Sequence, residues 1–234
     1  TVQIEDIVLL KGFEGTFKDS FFANIDLGFS LTKANNLRQF STRSNIGYSE
    51  RKWMLTASIN SLVSNQDGQE IETSRTDARI TFKYSLPKGW FAFPEIIFFS
   101  NNEINLNLRS VYKLGAGYYI FKTNKAYWGA LGGLAYTIED YKLPQPNRSS
   151  MEAFIGTDLN FYNIGDFNFA LNANGYPSLT EKGRFRADLA LDIKYDLPLD
   201  FYIKVGTTYN YDNQPGDGVT PSDYVFQTGF GYEF

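Results

Sequence analysis

The segment 223–234 alternates without a fault. Tyr224, Phe226, Thr228, Phe230, Tyr232 and Phe234 fall on one face, and Val225, Gln227, Gly229, Gly231 and Glu233 fall on the other. Successive strand side chains point to opposite faces, so this spacing is that of a β-strand with one aromatic face and one polar or glycine face. Soluble domains rarely need an aromatic residue at nearly every outward position of a terminal strand. The segment therefore asks for an apolar phase on one side and a polar space on the other.

Composition shows which apolar phase is available. Hydrophobic residues are 43% of the chain and mean hydropathy is −0.31, and no stretch approaches the ~20 apolar residues of a spanning helix. A helical membrane protein is thereby excluded. A strand that crosses a bilayer places only alternate residues against lipid, so low average hydropathy is compatible with it. The 21 Phe and 16 Tyr are more aromatic surface than a soluble domain usually carries.

The same alternation recurs along the chain. It predicts strands at 21–32, 38–48, 53–63, 71–84, 90–99, 106–121, 126–139, 150–162, 167–174, 184–195, 201–211 and 223–234. Most are longer than soluble strands and close to the ~9–11 residues of a tilted transmembrane strand. Every other connection is short: 49–52, 85–89, 122–125, 163–166 and 196–200. The alternate set, 33–37, 64–70, 100–105, 140–149, 175–183 and 212–222, is mostly longer and rich in Asn, Asp, Gly, Pro and Gln. Short periplasmic turns and longer external loops are the pattern of transmembrane barrels.

Aromatic residues mark the short-turn ends. Tyr48 and Trp53, Tyr84 and Trp90, Phe121 and Trp128, Phe161 and Phe167, and Tyr195 and Phe201 flank the five turns, and Phe234 falls at the same level. A ring of Trp, Tyr and Phe at one height is the girdle of a membrane interface. The expected fold is all-β: a single antiparallel transmembrane β-barrel of about 12 strands, both termini periplasmic. Residues 21–234 form the barrel, and residues 1–20, which lack a clean period, form an N-terminal periplasmic segment or plug. A soluble sandwich or lipocalin-like barrel is the structural alternative.

On this register the lumen carries Asp26, Asp77, Glu95, Glu139, Glu152, Asp158, Asp188, Asp192 and Glu233 against Arg43, Arg79, Lys83, Arg109, Lys113, Arg186, Lys194 and Lys204. Near-balance of sign points to cross-strand ion pairs that brace the interior rather than to strong ion selectivity. Inward glycines, among them Gly28, Gly117 and Gly231, offer room for a narrow path. Strand 90–99 fits least well, because Phe91, Phe93, Ile97 and Phe99 face inward around Glu95, and Pro94 lacks a ladder donor. A bulge or local break is expected there, with the aromatics narrowing that side of the lumen.

Some chemistry is absent. The chain has no His and no Cys, which removes imidazole general bases, thiolate nucleophiles and Cys-based metal sites. With phosphate loops and zinc spacings missing too, no enzyme, cofactor or metal site is expected. The loop from Asp212 to Gly218 is rich in oxygen donors but lacks EF-hand spacing and reads as a solvated turn. A net charge of −4, with both signs well mixed, argues against a nucleic-acid partner.

The runs Asp26–Asn36, Arg75–Arg79, Lys113–Gly117 and Tyr176–Thr180 resemble the salt-induced outer-membrane protein family, defined as a domain of unknown function. The resemblance implies a Gram-negative outer-membrane β-barrel and transfers no catalytic or binding residue. Expected partners are membrane lipid and an outer-membrane protein, with small solutes or ions if the barrel conducts. The expected function is a narrow passive channel or an osmotic-stress-related membrane protein. The alternative is a non-conducting structural or accessory subunit of a larger assembly.

Overall fold

The computed structural model describes residues 20–32, 37–65, 73–142, 146–216 and 220–233. The expected N-terminal segment, apart from Ser20, and the position of Phe234 lie outside the described residues. Twelve strands follow in order: β1 (Phe21–Thr32), β2 (Leu37–Ser49), β3 (Trp53–Asn65), β4 (Thr73–Ser85), β5 (Trp90–Asn101), β6 (Leu106–Lys122), β7 (Ala126–Tyr141), β8 (Arg148–Ile164), β9 (Phe167–Pro177), β10 (Phe185–Asp196), β11 (Phe201–Asp212) and β12 (Ser222–Glu233). Each pairs antiparallel with its sequence neighbours, and β1 pairs with β12 to close a barrel.

Alternation explains which face is which. Ile25, Leu27, Ile46, Ile59, Ile80, Leu134, Ile193 and Ile203 are exposed on the outside, and Leu114 and Ile155 reach 68% and 71%. The partners between them point inward, and several are buried charges: Asp26, Arg75, Glu95, Arg109, Lys113, Glu139, Glu152 and Arg186. A soluble barrel would have the opposite polarity. A continuous apolar exterior around a polar interior needs a lipid surround.

One rim carries the short connections 50–52, 86–89, 123–125, 165–166 and 197–200. Their tightness rests on backbone bonds such as Thr123 N to Ala126 O and Leu197 N to Phe201 O, each 2.8 Å. Left-handed residues help close three of them, with Lys88 and Gly89, Gly165, and Leu199 and Asp200 all at positive φ.

The β4–β5 ladder is interrupted at Pro94. Thr81 pairs with Glu95 and Tyr84 with Ala92, leaving Phe82 and Lys83 out of the pairing with no change of register. On the other side Pro94 stays aligned with Leu114 of β6. The expected irregularity is thus a one-sided break rather than a bulge. True register shifts lie elsewhere, between Phe99 and Asn101 on β5, between Leu106 and Leu108 and between Tyr119 and Phe121 on β6, and between Phe161 and Ile164 on β8.

Inside the barrel, Phe91, Phe93, Val111, Leu131, Ala135, Phe154 and Tyr176 form an apolar cluster on the β5–β9 wall. Glycines do not leave that wall empty. A Cβ on Gly117 would stand 2.2 Å from the Phe91 ring, and one on Gly115 would stand 2.6 Å from the Phe154 ring. The space these glycines vacate is filled by rings lying against the backbone, so this side of the lumen is packed.

Candidate functional site

Three groups of charges cross the polar interior of the barrel. Toward the long-loop rim, Arg184 and Arg186 leave β9–β10 with both side chains buried. Arg184 donates to Glu139 of β7 at 2.9 Å, to Asp212 of β11 at 2.6 Å and to Glu181 at 2.7 Å. Burial opposes its charge, but the Asp212 hydrogen bonds and the Glu139 and Asp212 carboxylates outweigh that cost. The guanidinium is held above its ordinary pKa. Arg109 donates to Glu139 at 2.6 Å. Arg186 binds Glu152 at 2.5 Å and reaches Thr137 at 3.1 Å, while Thr137 also donates to Glu152 at 2.8 Å.

A second group lies against the aromatic wall. Glu95 takes Lys113 at 2.9 Å, Arg79 at 3.7 Å and the Thr81 hydroxyl at 2.8 Å. The Lys113 ammonium also sits 4.5 Å from the Phe154 ring centre. Aromatic faces and one carboxylate together compensate a buried ammonium that neither would hold alone.

The third group includes contacts between strands that are not neighbours, which meet across the lumen. Arg43 of β2 donates to Asp192 of β10 at 2.9 Å and to Gln227 of β12 at 2.8 Å. Arg75 of β4 donates to Asp223 of β12 and to Asn210 of β11, each at 2.6 Å, with Asp77 3.5 Å away. Lys204 lies 3.6 Å from both Asp26 and Asp192, and Asp26 accepts the Tyr202 hydroxyl. Near the short-turn rim Lys194 pairs with Asp196 at 3.0 Å and with Glu233. Asp158 accepts from Asn172, and Asp188 accepts from Asn210 at 2.7 Å. Lys83 faces the rings of Phe91 and Tyr119 at 5.1 and 5.9 Å.

Several members of these groups were not singled out by alternation: Arg75, Glu181, Arg184, Asp212 and Asp223. Arg75 shares the face of Asp77, and that parity was the signal available for it. The others sit at strand ends or in loops, where alternation stops carrying information. The carboxylates at the strand ends on either side of the oxygen-rich loop, Asp212 and Asp223, are engaged by guanidinium groups.

What is left open lies mostly on the other wall. A cavity of about 520 Å³ is lined by Gln39, Ser41, Ser64, Thr73, Arg75 and Gln227, among others. A second of about 220 Å³ lies between Thr56, Arg79, Lys83, Phe91, Asp158 and Asn172. The Arg75–Asp223 pair lines the first of these spaces, and Arg43 borders it through its bond to Gln227.

On the outside, aromatic pairs follow the short-turn rim. Tyr48 stacks on Trp53 at 5.5 Å and Trp53 on Phe82 at 5.8 Å, with Tyr84 opposite Trp53 in the ladder. Trp90 meets Tyr118 at 5.2 Å, Phe121 meets Trp128 at 6.2 Å, Phe167 meets Tyr195 at 4.8 Å, and Phe201 meets Phe230 at 5.1 Å. Trp128 satisfies its indole N–H on Thr157 at 2.7 Å.

A closed antiparallel barrel of twelve strands, apolar outside and polar inside, with an aromatic belt at one rim, is an outer-membrane β-barrel of the Gram-negative type. Residues 25–234 match the family described as "Protein of unknown function, DUF481", and the chain belongs to that family. The runs at 26–36, 75–79, 113–117 and 176–180 all lie within the match. No curated protein matches the chain. Among solved structures, the NanC porin superimposes with a TM-score of 0.54 at 15% identity, covering 91% of this chain and 100% of its own. An outer membrane channel from Pseudomonas putida F1 gives 0.51 at 10% identity, covering 92% and 95%. At these identities the likeness is one of fold.

Proposed function

We propose that this barrel is a narrow passive channel for small solutes or ions, oriented with its short turns and both termini in the periplasm. The observation that carries the proposal is the pair of polar cavities, about 520 and 220 Å³, that remain beside the cross-lumen charge pairs. A lumen meant only to be filled needs no hydrophilic voids of that size, whereas a narrow water path requires them. The ring Tyr48, Trp53, Tyr84, Trp90, Phe121, Trp128, Tyr195, Phe201 and Phe234 then sets the periplasmic interface. The network of Asp26, Arg43, Asp77, Arg79, Glu95, Arg109, Lys113, Glu152, Asp158, Arg186, Asp188, Asp192, Lys194 and Lys204 shapes the path. Its mixed signs predict weak ion selectivity.

Planar-bilayer recordings test this. Discrete, small conductance steps with little preference for cation or anion are expected. Absence of conductance above the bare bilayer would overturn the channel. The wholly buried Arg184–Glu139 and Arg186–Glu152 pairs favour the second reading, a non-conducting accessory barrel that presents its loops to another envelope protein. Co-purification with a larger assembly in mild detergent would support it. A role in osmotic stress follows from the family resemblance, and is tested by comparing growth at high salt with and without the protein.

A further inference from the structure

Cations outnumber acids around one of the two lumen spaces. The cavity of about 220 Å³ is lined by Arg79, Lys83 and Lys113 against Glu95 and Asp158, three cations to two carboxylates. Glu95 is taken by Lys113 at 2.9 Å and by the Thr81 hydroxyl at 2.8 Å, and Asp158 accepts from the Asn172 amide. Arg79 makes only a 3.7 Å approach to Glu95, and its side chain is 43% exposed. Lys83 pairs with no carboxylate among the described residues. It rests instead near the rings of Phe91 and Tyr119, at 5.1 and 5.9 Å. Elsewhere in the lumen Arg43, Arg75, Arg109, Lys113, Arg186 and Lys204 each have a carboxylate at 3.6 Å or less. The wall thus supplies anions to these cations and leaves Lys83 without one.

Arg79 and Lys83 stand on the inward face of β4, about 13 Å of strand apart. Glu95 lies opposite Thr81, midway between them. The Arg79 guanidinium, drawn toward Glu95, therefore leans toward Lys83, and both long side chains line one space. The rest of that space is partly apolar, with Met54, Phe91, Phe93 and Leu131, and the last three belong to the packed interior cluster. The site is close to the short-turn mouth, since Lys83 pairs with Met54 one step from the end of its ladder at Trp53–Tyr84.

We propose that this cavity binds a small monocarboxylate with a planar apolar body, its carboxylate held between Lys83 and Arg79 and its ring lying against Phe91 and Phe93. Size permits it: an apolar cavity of about 150 Å³ takes a benzene ring, so about 220 Å³ takes a ring that carries one carboxylate. Charge sets the class. One surplus cation suits a monoanion, whereas a second carboxylate on the ligand would stand near Glu95 or Asp158 and be repelled. A neutral ring would leave Lys83 as it is, without an anion. The proposal is independent of axial conduction, because a barrel closed further along would still admit the ligand from the short-turn mouth.

The test uses the full chain in lipid nanodiscs, with fluorine NMR of 4-fluorobenzoate and the signal from empty nanodiscs subtracted. Saturable broadening of the benzoate line is expected. The uncharged analogue 4-fluorobenzamide and the dianion 5-fluoroisophthalate should each bind roughly ten-fold more weakly or worse. Lys83→Met removes the ammonium at similar length and should weaken benzoate roughly ten-fold, while Lys83→Arg should retain it. Lys125→Met, the same change in an exposed short turn, should leave the affinity unaltered. Should Lys83→Met fail to fold, Arg79→Gln leaves Glu95 to Lys113 and should weaken binding several-fold. Absence of saturable broadening, equal broadening by the acid and the amide, or equal weakening by Lys83→Met and Lys125→Met would overturn the proposal.

Discussion

At the scale of single residues, the interior is a set of commitments that cannot be withdrawn one at a time. Glu152 is fully buried with Arg186 as its cation. Arg186→Ala leaves a buried carboxylate unpaired and should cost about 3–5 kcal/mol, whereas the double change Arg186→Met with Glu152→Leu should recover most of it. Urea unfolding from lipid vesicles measures both, and a single-variant cost below about 1 kcal/mol would mean that the pair is effectively solvated. Gly117 carries a different constraint, since the Phe91 ring lies where its Cβ would be. Gly117→Val should destabilise by about 1–3 kcal/mol through overpacking, read by the same unfolding curves. Charge placement was legible in the sequence because a period of two assigns every strand residue to a face. The identity of each partner was not, since Arg43 meets Asp192 only when barrel closure brings β2 toward β10. Arg184 and Asp212 escaped because they stand where strand becomes loop and the period ends.

At the scale of elements, strand positions followed closely from alternation, while their ends shifted by a few residues. β9 runs on to Pro177 and β7 to Tyr141, because neighbouring strands extend their ladders beyond the membrane-crossing pattern. Pro94 was legible as a fault, but its one-sided form depends on which neighbour its missing N–H faces. Pro94→Val supplies that donor and should close the gap opposite Phe82, stabilising the barrel by about 1 kcal/mol in the same urea assay. The outer surface supports a sharper contrast. Ile155 on β8 and Leu179 in the β9–β10 loop are both exposed, but only the first faces lipid in this account. Ile155→Arg should cost about 2–4 kcal/mol near the bilayer midplane, and Leu179→Arg close to nothing. Equal costs for both would contradict the placement of the membrane.

At the scale of the whole molecule, twelve strands with alternating short and long connections make closure legible before any coordinate, since an even antiparallel set with one apolar face has no other way to hide its edges. What fills the closed barrel was less so. Inward glycines suggested space, yet rings and guanidinium groups take up much of it, and the remaining room collects along the β1–β4 and β12 wall. Arg75 lines that room and reaches Asp223, and Arg43, paired with Asp192, borders it through Gln227. They are therefore the side chains that set its width. The most direct measurement is single-channel conductance of the wild-type protein beside Arg43→Ala and Arg75→Ala in planar bilayers. The account predicts a small wild-type conductance that rises in each variant, with selectivity moving toward cations as Asp192 or Asp223 loses its partner. Silence from all three proteins, with folding verified by their β-sheet circular dichroism, would contradict it.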